Sequence, residues 1–127
     1  MRYIEEVTSF IKNNFQLTKD YEMAIECSPA YLDYKHVEQL KNFGFNRISL
    51  GIQDFNKNVL KAINRKGSRH PIEDLVKKIK FEGFRGTNID LIYGLPLQSV
   101  KSFKKTIEKA LQKQKEASLS IILDRGL

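Results

Sequence analysis

Arg47-Ile48-Ser49-Leu50-Gly51-Ile52-Gln53 is the stretch on which the reading of the fold turns. In an extended chain Ile48, Leu50 and Ile52 fall on one face, while Ser49, Gly51 and Gln53 fall on the other. Alternation with period two marks a β-strand. Residues 88–95 repeat it, with Ile89 and Leu91 opposed to Asn88 and Asp90. Residues 22–26 do so again, with Met23 and Ile25 opposed to Glu22, Ala24 and Glu26. A run at residues 119–123 is a fourth candidate strand.

Between these runs the apolar period lengthens to that of a helix. Ile4, Val7 and Ile11 mark the first helix, and Val37 and Leu40 the second, which closes at Gly44. Phe55, Val59, Leu60 and Ile63 mark the third, with Asp54 as its expected N-cap. Ile72, Leu75, Val76 and Ile79 mark the fourth, entered through Pro71 and closed at Gly83. Val100, Phe103, Ile107 and Leu111 mark the fifth, capped by Ser99. Strands alternating with helices predict βα units and a parallel sheet. An internal repeat agrees: Leu40-Lys41-Asn42-Phe43-Gly44-Phe45 leads into the second strand as Ile79-Lys80-Phe81-Glu82-Gly83-Phe84 leads into the third. Each is a helix end, a glycine able to take positive φ, and a phenylalanine placed to pack under the next strand.

The parity carries a functional implication. Helices outside such a sheet take the apolar face, so the other face turns inward. An ordinary (β/α) barrel fills its interior with branched apolar side chains. Here the inward face would hold Glu26, Asp90, Asn88, Gln53, Ser49 and Gly51. Buried carboxylates without partners are costly, and a polar ligand in the lumen resolves the cost. The alternative is an open sheet with that face wet, although parallel sheets are usually covered on both faces. Glu26 and Gln53 end their strands at the edge where such folds place active sites, and Asp90 lies slightly deeper.

Composition narrows the function classes. A chain of 127 residues is enough for one domain, and 41% hydrophobic with 29% charged residues is ordinary for a globular one. No apolar run approaches the ~18 residues of a membrane span, and Glu5, Glu6 and Lys12 interrupt any signal-peptide pattern. Cys27 is the single cysteine, which excludes an internal disulfide framework and a cysteine-only metal site in one copy; a reducing cytoplasm is the simplest compartment. The net charge of +7 comes largely from lysines interleaved with apolar positions, such as Lys77, Lys78 and Lys80, or Lys101, Lys104, Lys105, Lys109 and Lys113. These read as solvated helix faces, and no aromatic–basic pattern suggests a nucleic-acid partner.

Four stretches in order are specific. They are Ile25-Glu26-Cys27-Ser28-Pro29, the run from Gly44 through Phe55, Ile63-Asn64-Arg65, and Asn88-Ile89-Asp90-Leu91-Ile92-Tyr93-Gly94-Leu95-Pro96. Together they resemble the oxygen-independent coproporphyrinogen III oxidases (coproporphyrinogen dehydrogenases) of the radical S-adenosylmethionine (SAM) superfamily, from about residue 22 to about residue 111. The related heme chaperones are similar but usually carry serine where this chain has Asp54 and Gly-Arg where it has Asn64-Arg65.

The resemblance implies part of a (β/α) partial TIM barrel, with about four parallel strands and helices on the outer face. It implies a [4Fe–4S] cluster, one SAM at the cluster and a second SAM beside it. Glu26 matches the glutamate that contacts the first SAM, and Gln53, Arg65 and Asp90 match residues that contact the second. The residue types suit that task. Carboxylates accept from ribose hydroxyls or an α-ammonium group, Arg65 offers a planar fork for a carboxylate, and Gln53 both donates and accepts. Each has a plainer alternative: Glu26 capping the next helix, Asp90 bridging to Arg65, Gln53 bonding a loop backbone. Tyr93-Gly94-Leu95-Pro96 reads as a turn where backbone approaches a ligand, or as a structural turn. His36 and His70 read as surface residues, and Cys27 as a small side chain facing the helices. No catalytic and no metal-ligating residue is assigned.

The resemblance also sets limits. The family's Cys-x3-Cys-x2-Cys loop and Gly-Gly-Gly-Thr-Pro run, both upstream of the matching region, are absent, while residues 1–20 fit the helix that follows them. Cluster iron needs thiolates. Beyond Leu111 the match thins, and Asp124-Arg125-Gly126-Leu127 departs from it. Residues 1–127 are therefore expected to form a single incomplete domain, the central part of a radical SAM oxidase that decarboxylates two propionates of coproporphyrinogen III to vinyls in anaerobic heme synthesis. By itself the chain is expected to be inactive, to bind SAM weakly or not at all, and to self-associate through unpaired strand edges. The alternative function is a heme chaperone-like or degenerate SAM-binding protein without oxidase activity.

Overall fold

In a computed structural model, residues 1–113 and 117–123 are described. Helix α1 (Arg2–Asn14) leads to strand β1 (Ala24–Cys27), helix α2 (Tyr34–Phe43) and strand β2 (Arg47–Gln53). Helices α3 (Lys57–Ala62) and α4 (Ile72–Phe81) follow, then β3 (Gly86–Tyr93), α5 (Val100–Lys113) and β4 (Ser118–Leu123). The four strands form one sheet in sequential order, every neighbouring pair parallel. Asp124-Arg125-Gly126-Leu127 lies outside the described residues.

The outward face of the sheet builds the core. Ile48, Leu50, Ile89 and Leu91 are fully buried, and they join Val37 and Leu40 from α2, Leu75 and Ile79 from α4, and Phe103 and Ala110 from α5. Each such aliphatic side chain contributes roughly 1.5–3 kcal/mol by leaving water. The two α-to-β returns repeat as the sequence predicts. Gly44 has φ 105° and Gly83 φ 81°, and Phe45 and Phe84 are both buried beneath the strands they introduce. A buried asparagine fixes the lower rim. Asn46 donates from Nδ2 to the Tyr21 carbonyl at 2.7 Å and accepts the Met23 amide on Oδ1 at 2.9 Å. That grip starts the β1 pairing at Ala24, so the strand is two residues shorter at its beginning than the alternation from residue 22 predicts.

One expectation needs correction. Asp54 does not cap α3; Asn56 does, accepting the amides of Asn58 and Val59 on Oδ1. Asp54 continues the outward parity of Ile48, Leu50 and Ile52 and is therefore driven into the core instead, with no exposed surface.

Candidate functional site

The site grows from the last three residues of β2. The pairing of β2 with β3 slips between Gly51 and Gln53. Gln53 then takes φ 70°, and the Asp54 amide donates back to the Ile52 carbonyl at 2.9 Å. A bond from residue i+2 to residue i around a positive-φ centre is a γ-turn of the rarer, strained kind. Strain of this type costs of order 1–3 kcal/mol and persists only where surrounding structure fixes it. It turns the Gln53 side chain inward, where Oε1 is buried without a hydrogen-bond partner among the described residues. A buried carbonyl oxygen left unpaired costs about 1–3 kcal/mol, and a bound donor would remove that cost.

Arg65 arrives by a different route. Helix α3 ends in a Schellman motif. The Asn64 amide donates to Lys61 at 3.1 Å, the Arg65 amide to Leu60 at 2.8 Å, and Asn64 sits at φ 55°. Asparagine is among the few residues other than glycine that enter the left-handed region readily. The reversal sends Arg65 back over the strand ends, where Nη2 donates to the Gly51 carbonyl at 2.8 Å. Gly51 leaves room at this junction: a Cβ there would lie 3.3 Å from Gln53 Nε2 and 3.4 Å from Arg65 Nη2, so a larger residue would press on the ends of both side chains.

Asp90 is contributed by β3, one pairing step from Gly51. Its Oδ1 accepts from Asn88 Nδ2 at 2.6 Å, and Asn88 Oδ1 in turn accepts from Ser118 at 2.9 Å and from Ser120 at 3.3 Å. Burial, followed by the charge of Glu26 across the sheet, holds the Asp90 carboxyl above the usual carboxylate range, against the lowering effect of the Asn88 amide. Glu26 itself is exposed at the end of β1.

These residues converge. Glu26, Gln53, Arg65 and Asp90 line one cleft of about 340 Å³ at the C-terminal ends of the strands, with Gly51 on its floor. The plainer alternatives do not describe the contacts: Asp90 pairs with Asn88 and not with Arg65, and the Gln53 Oε1 bonds no loop backbone. Cys27 packs against the apolar cluster, where burial pushes its thiol up to about 11. His70 is a partner and not a free surface residue: it meets Asp33 Oδ1 at 3.1 Å and stacks on Tyr34. His36 Nδ1 accepts the Asp33 amide at 3.2 Å within a capping box.

Sequence reasoning missed the brace that holds the rim. Asp54 Oδ1 accepts from the Asn56 amide at 2.8 Å and from Thr106, and Oδ2 accepts from Gln98 Nε2 at 2.6 Å. Gln98 also donates to the Ile92 carbonyl and accepts the Gly94 and Leu95 amides at 2.8 and 3.0 Å. One carboxylate thus ties the loop after β2 to the Tyr93-Gly94-Leu95-Pro96 turn after β3. The available signal was an acid at a helix-facing strand position, which requires buried donors. The Asn88 serine network was equally legible as a polar residue two positions before Asp90 on the same face.

Comparison with known proteins agrees with the fold. The model of the radical SAM superfamily matches residues 2–110. The oxygen-independent coproporphyrinogen III oxidase of Escherichia coli is 38% identical over 109 residues, covering 86% of this chain and 24% of that protein. Its counterpart in Thermostichus vulcanus is 44% identical over 98 residues, covering 77% of this chain and 30% of that protein. The solved coproporphyrinogen III oxidase of Escherichia coli superposes with a TM-score of 0.88 at 35% identity, over 99% of this chain and 29% of that one. A radical SAM methyltransferase from Kitasatospora setae shares the fold alone, with a TM-score of 0.71 at 14% identity over 96% of this chain and 24% of that one. The chain spans about a quarter of the length of the curated oxidases it matches.

Proposed function

The chain belongs to the radical SAM superfamily, and on that premise we propose that it supplies the SAM-holding strands of an oxygen-independent coproporphyrinogen III oxidase. One observation carries the reading: Glu26, Gln53, Arg65 and Asp90, drawn from three strands and a helix end, line a single cleft. The donor set suits a zwitterionic, ribose-bearing ligand. Arg65 keeps guanidinium N–H groups beyond the Nη2 bond to Gly51 for a carboxylate. Glu26 and Asp90 accept from hydroxyls or an ammonium group, and the orphaned Gln53 Oε1 awaits a donor. In this reading Glu26 serves a first SAM, and Gln53, Arg65 and Asp90 serve a second.

In the whole oxidase, SAM held by such residues beside a reduced cluster would supply the radical chemistry for decarboxylating two propionates of coproporphyrinogen III. The residues present do not fit the cluster itself, because iron needs several thiolates and the one cysteine is turned toward the helices. The chain's own part is to bind and orient. Nucleic acid has no role in this proposal, and a cytoplasmic, reducing compartment accords with it. Self-association is part of it: β1 and β4 are the sheet's two edges, and an apolar groove of about 400 Å³ between α1 and β1 exposes Tyr3 and Val7.

Amide chemical-shift mapping with SAM tests the cofactor reading. We expect weak binding, with Kd of about 1 mM or somewhat below, and shifts confined to residues around Gly51, Gln53, Arg65 and Asp90. Arg65→Ala and Gln53→Ala should each weaken it severalfold. If millimolar SAM leaves the cleft unperturbed, or perturbs it equally in both variants, the reading is wrong.

A further inference from the structure

The polar side chains of the inner face stand in two rows across the sheet. Glu26, Ser49, Asn88 and Ser118 are register partners from β1 through β4. Gly51, Asp90 and Ser120 form the next row. Both rows end on a serine of β4, a strand that lies beyond the residues 2–110 matched to the superfamily. We propose that Asn88, anchored by Ser118 and Ser120, is a positioning residue that fixes the Asp90 carboxylate for the ligand of the cleft, so that β4 takes part in the site; this rests on the reading of that cleft as the SAM site.

Residues 88 and 90 share one face of β3, and both side chains are buried. Asn88 Nδ2 donates to Asp90 Oδ1 at 2.6 Å and to Ser120 Oγ at 3.1 Å, which uses both of its hydrogens. At the other end of the amide, Oδ1 accepts from Ser118 at 2.9 Å. The orientation of the amide is thereby fixed: turned over, it would set its own oxygen against the Asp90 carboxylate. Asp90 Oδ2 has no hydrogen-bond partner among the described residues, and it is the oxygen left for a ligand. The charged groups that share the cleft with Asp90 are Glu26 from β1 and Arg65 from the loop after α3, while β4 brings no charge to it. Burial, and then the charge of Glu26, disfavour the ionised form of Asp90, and the Asn88 bond opposes them. A neutral donor suits this task. A lysine at the same place would pair with Asp90 and compete with a ligand's ammonium group, whereas an amide holds the carboxylate and leaves its charge unneutralised.

The carboxyl carbon of Asp90, followed by NMR in the full chain labelled with carbon-13 aspartate and assigned through Asp90→Asn, reads this contact directly. Asn88→Leu removes the donor without admitting water. In that variant Asp90 should titrate at higher pH than in the unmodified chain, and SAM should bind at least about threefold more weakly. Ser118→Val/Ser120→Val removes the anchors and keeps Asn88; it should move both readouts in the same direction by less. Added to Asn88→Leu, the serine replacements should shift Asp90 no further, because they act through Asn88. Additive shifts would take β4 out of the site and overturn the proposal. So would a loss of stability in urea that leaves the Asp90 titration and SAM affinity where they were, since the network would then be structural alone. The serine pair, read by itself, decides the same point if Asn88→Leu does not fold. The titration needs no SAM, which separates the two readings. An Asp90 midpoint that moves as expected in a chain that binds no SAM leaves the Asn88 network standing and removes the cofactor cleft.

Discussion

Replacing Asp54 gives the sharpest test of how the site is held. Its carboxylate has no exposed surface and receives three donors, from Asn56, Gln98 and Thr106. Hydrogen bonds to a charged acceptor contribute roughly 1.5–3 kcal/mol each, and stranding their buried donors carries a further desolvation cost. The three are not additive, because the Asn56 amide lies near solvent and the Thr106 hydroxyl can rotate. A loss of about 3–5 kcal/mol is therefore expected for Asp54→Ala, a large part of the ~5–15 kcal/mol that holds an ordinary domain.

Asp54→Asn is the more discriminating variant. It keeps the shape but sets an NH2 group against Gln98 Nε2, or against the Asn56 amide if the group turns over. Gln98 cannot reverse to accommodate it, since its Oε1 already accepts the Gly94 and Leu95 amides. One donor facing a donor should cost about 1–3 kcal/mol. Urea unfolding at fixed protein concentration measures both variants. A double-mutant cycle with Gln98→Ala should then recover a coupling of at least about 1 kcal/mol. If Asp54→Ala costs less than about 1 kcal/mol, or the cycle closes without coupling, the carboxylate is not the brace described here.

Two further outcomes follow from titratable groups. Because the native state keeps Asp90 protonated to a higher pH than the unfolded chain does, this residue's contribution to stability falls as pH rises through the interval between the two pKa values. Asp90→Asn removes that dependence, so its urea midpoint should pull ahead of the unmodified chain's as pH rises above the ordinary carboxylate value of about 4; a difference flat with pH would contradict the burial argument. Cys27, pushed up to about 11, should react with a disulfide reagent at about pH 8 roughly twentyfold more slowly in the native chain than in urea. That figure allows for the greater nucleophilicity of a more basic thiolate, and comparable rates would place the thiol outside the apolar layer.

What could be read from the sequence, and what could not, divides along a physical line. Period-two alternation is a property of single strands, so Ile48, Leu50, Ile89 and Leu91 declared the apolar face before any contact was known. The two glycine–phenylalanine returns were legible for the same reason, since helix closure is local chemistry. The placing of Glu26, Gln53 and Asp90 on one face followed from parity and strand order, whereas Arg65, which lies beyond α3, entered only through the family resemblance. Asp54 failed because local and global signals conflicted there. An aspartate ahead of a helix reads as an N-cap, and only the positions of Gln98 and Thr106, 44 and 52 residues further on, make it a buried acceptor. The strain at Gln53 was hidden likewise, because a non-glycine at φ 70° is selected by what surrounds it and not by its own preference. Both failures fall at the top of β2, where a strained turn, an unpaired carbonyl oxygen and a buried acid stand within two residues. Departures from local rules gather where a site must be held against its own strain. At the end of β2 the Asp54 brace holds the turn that presents Gln53, so loosening the brace should be felt first in the cleft.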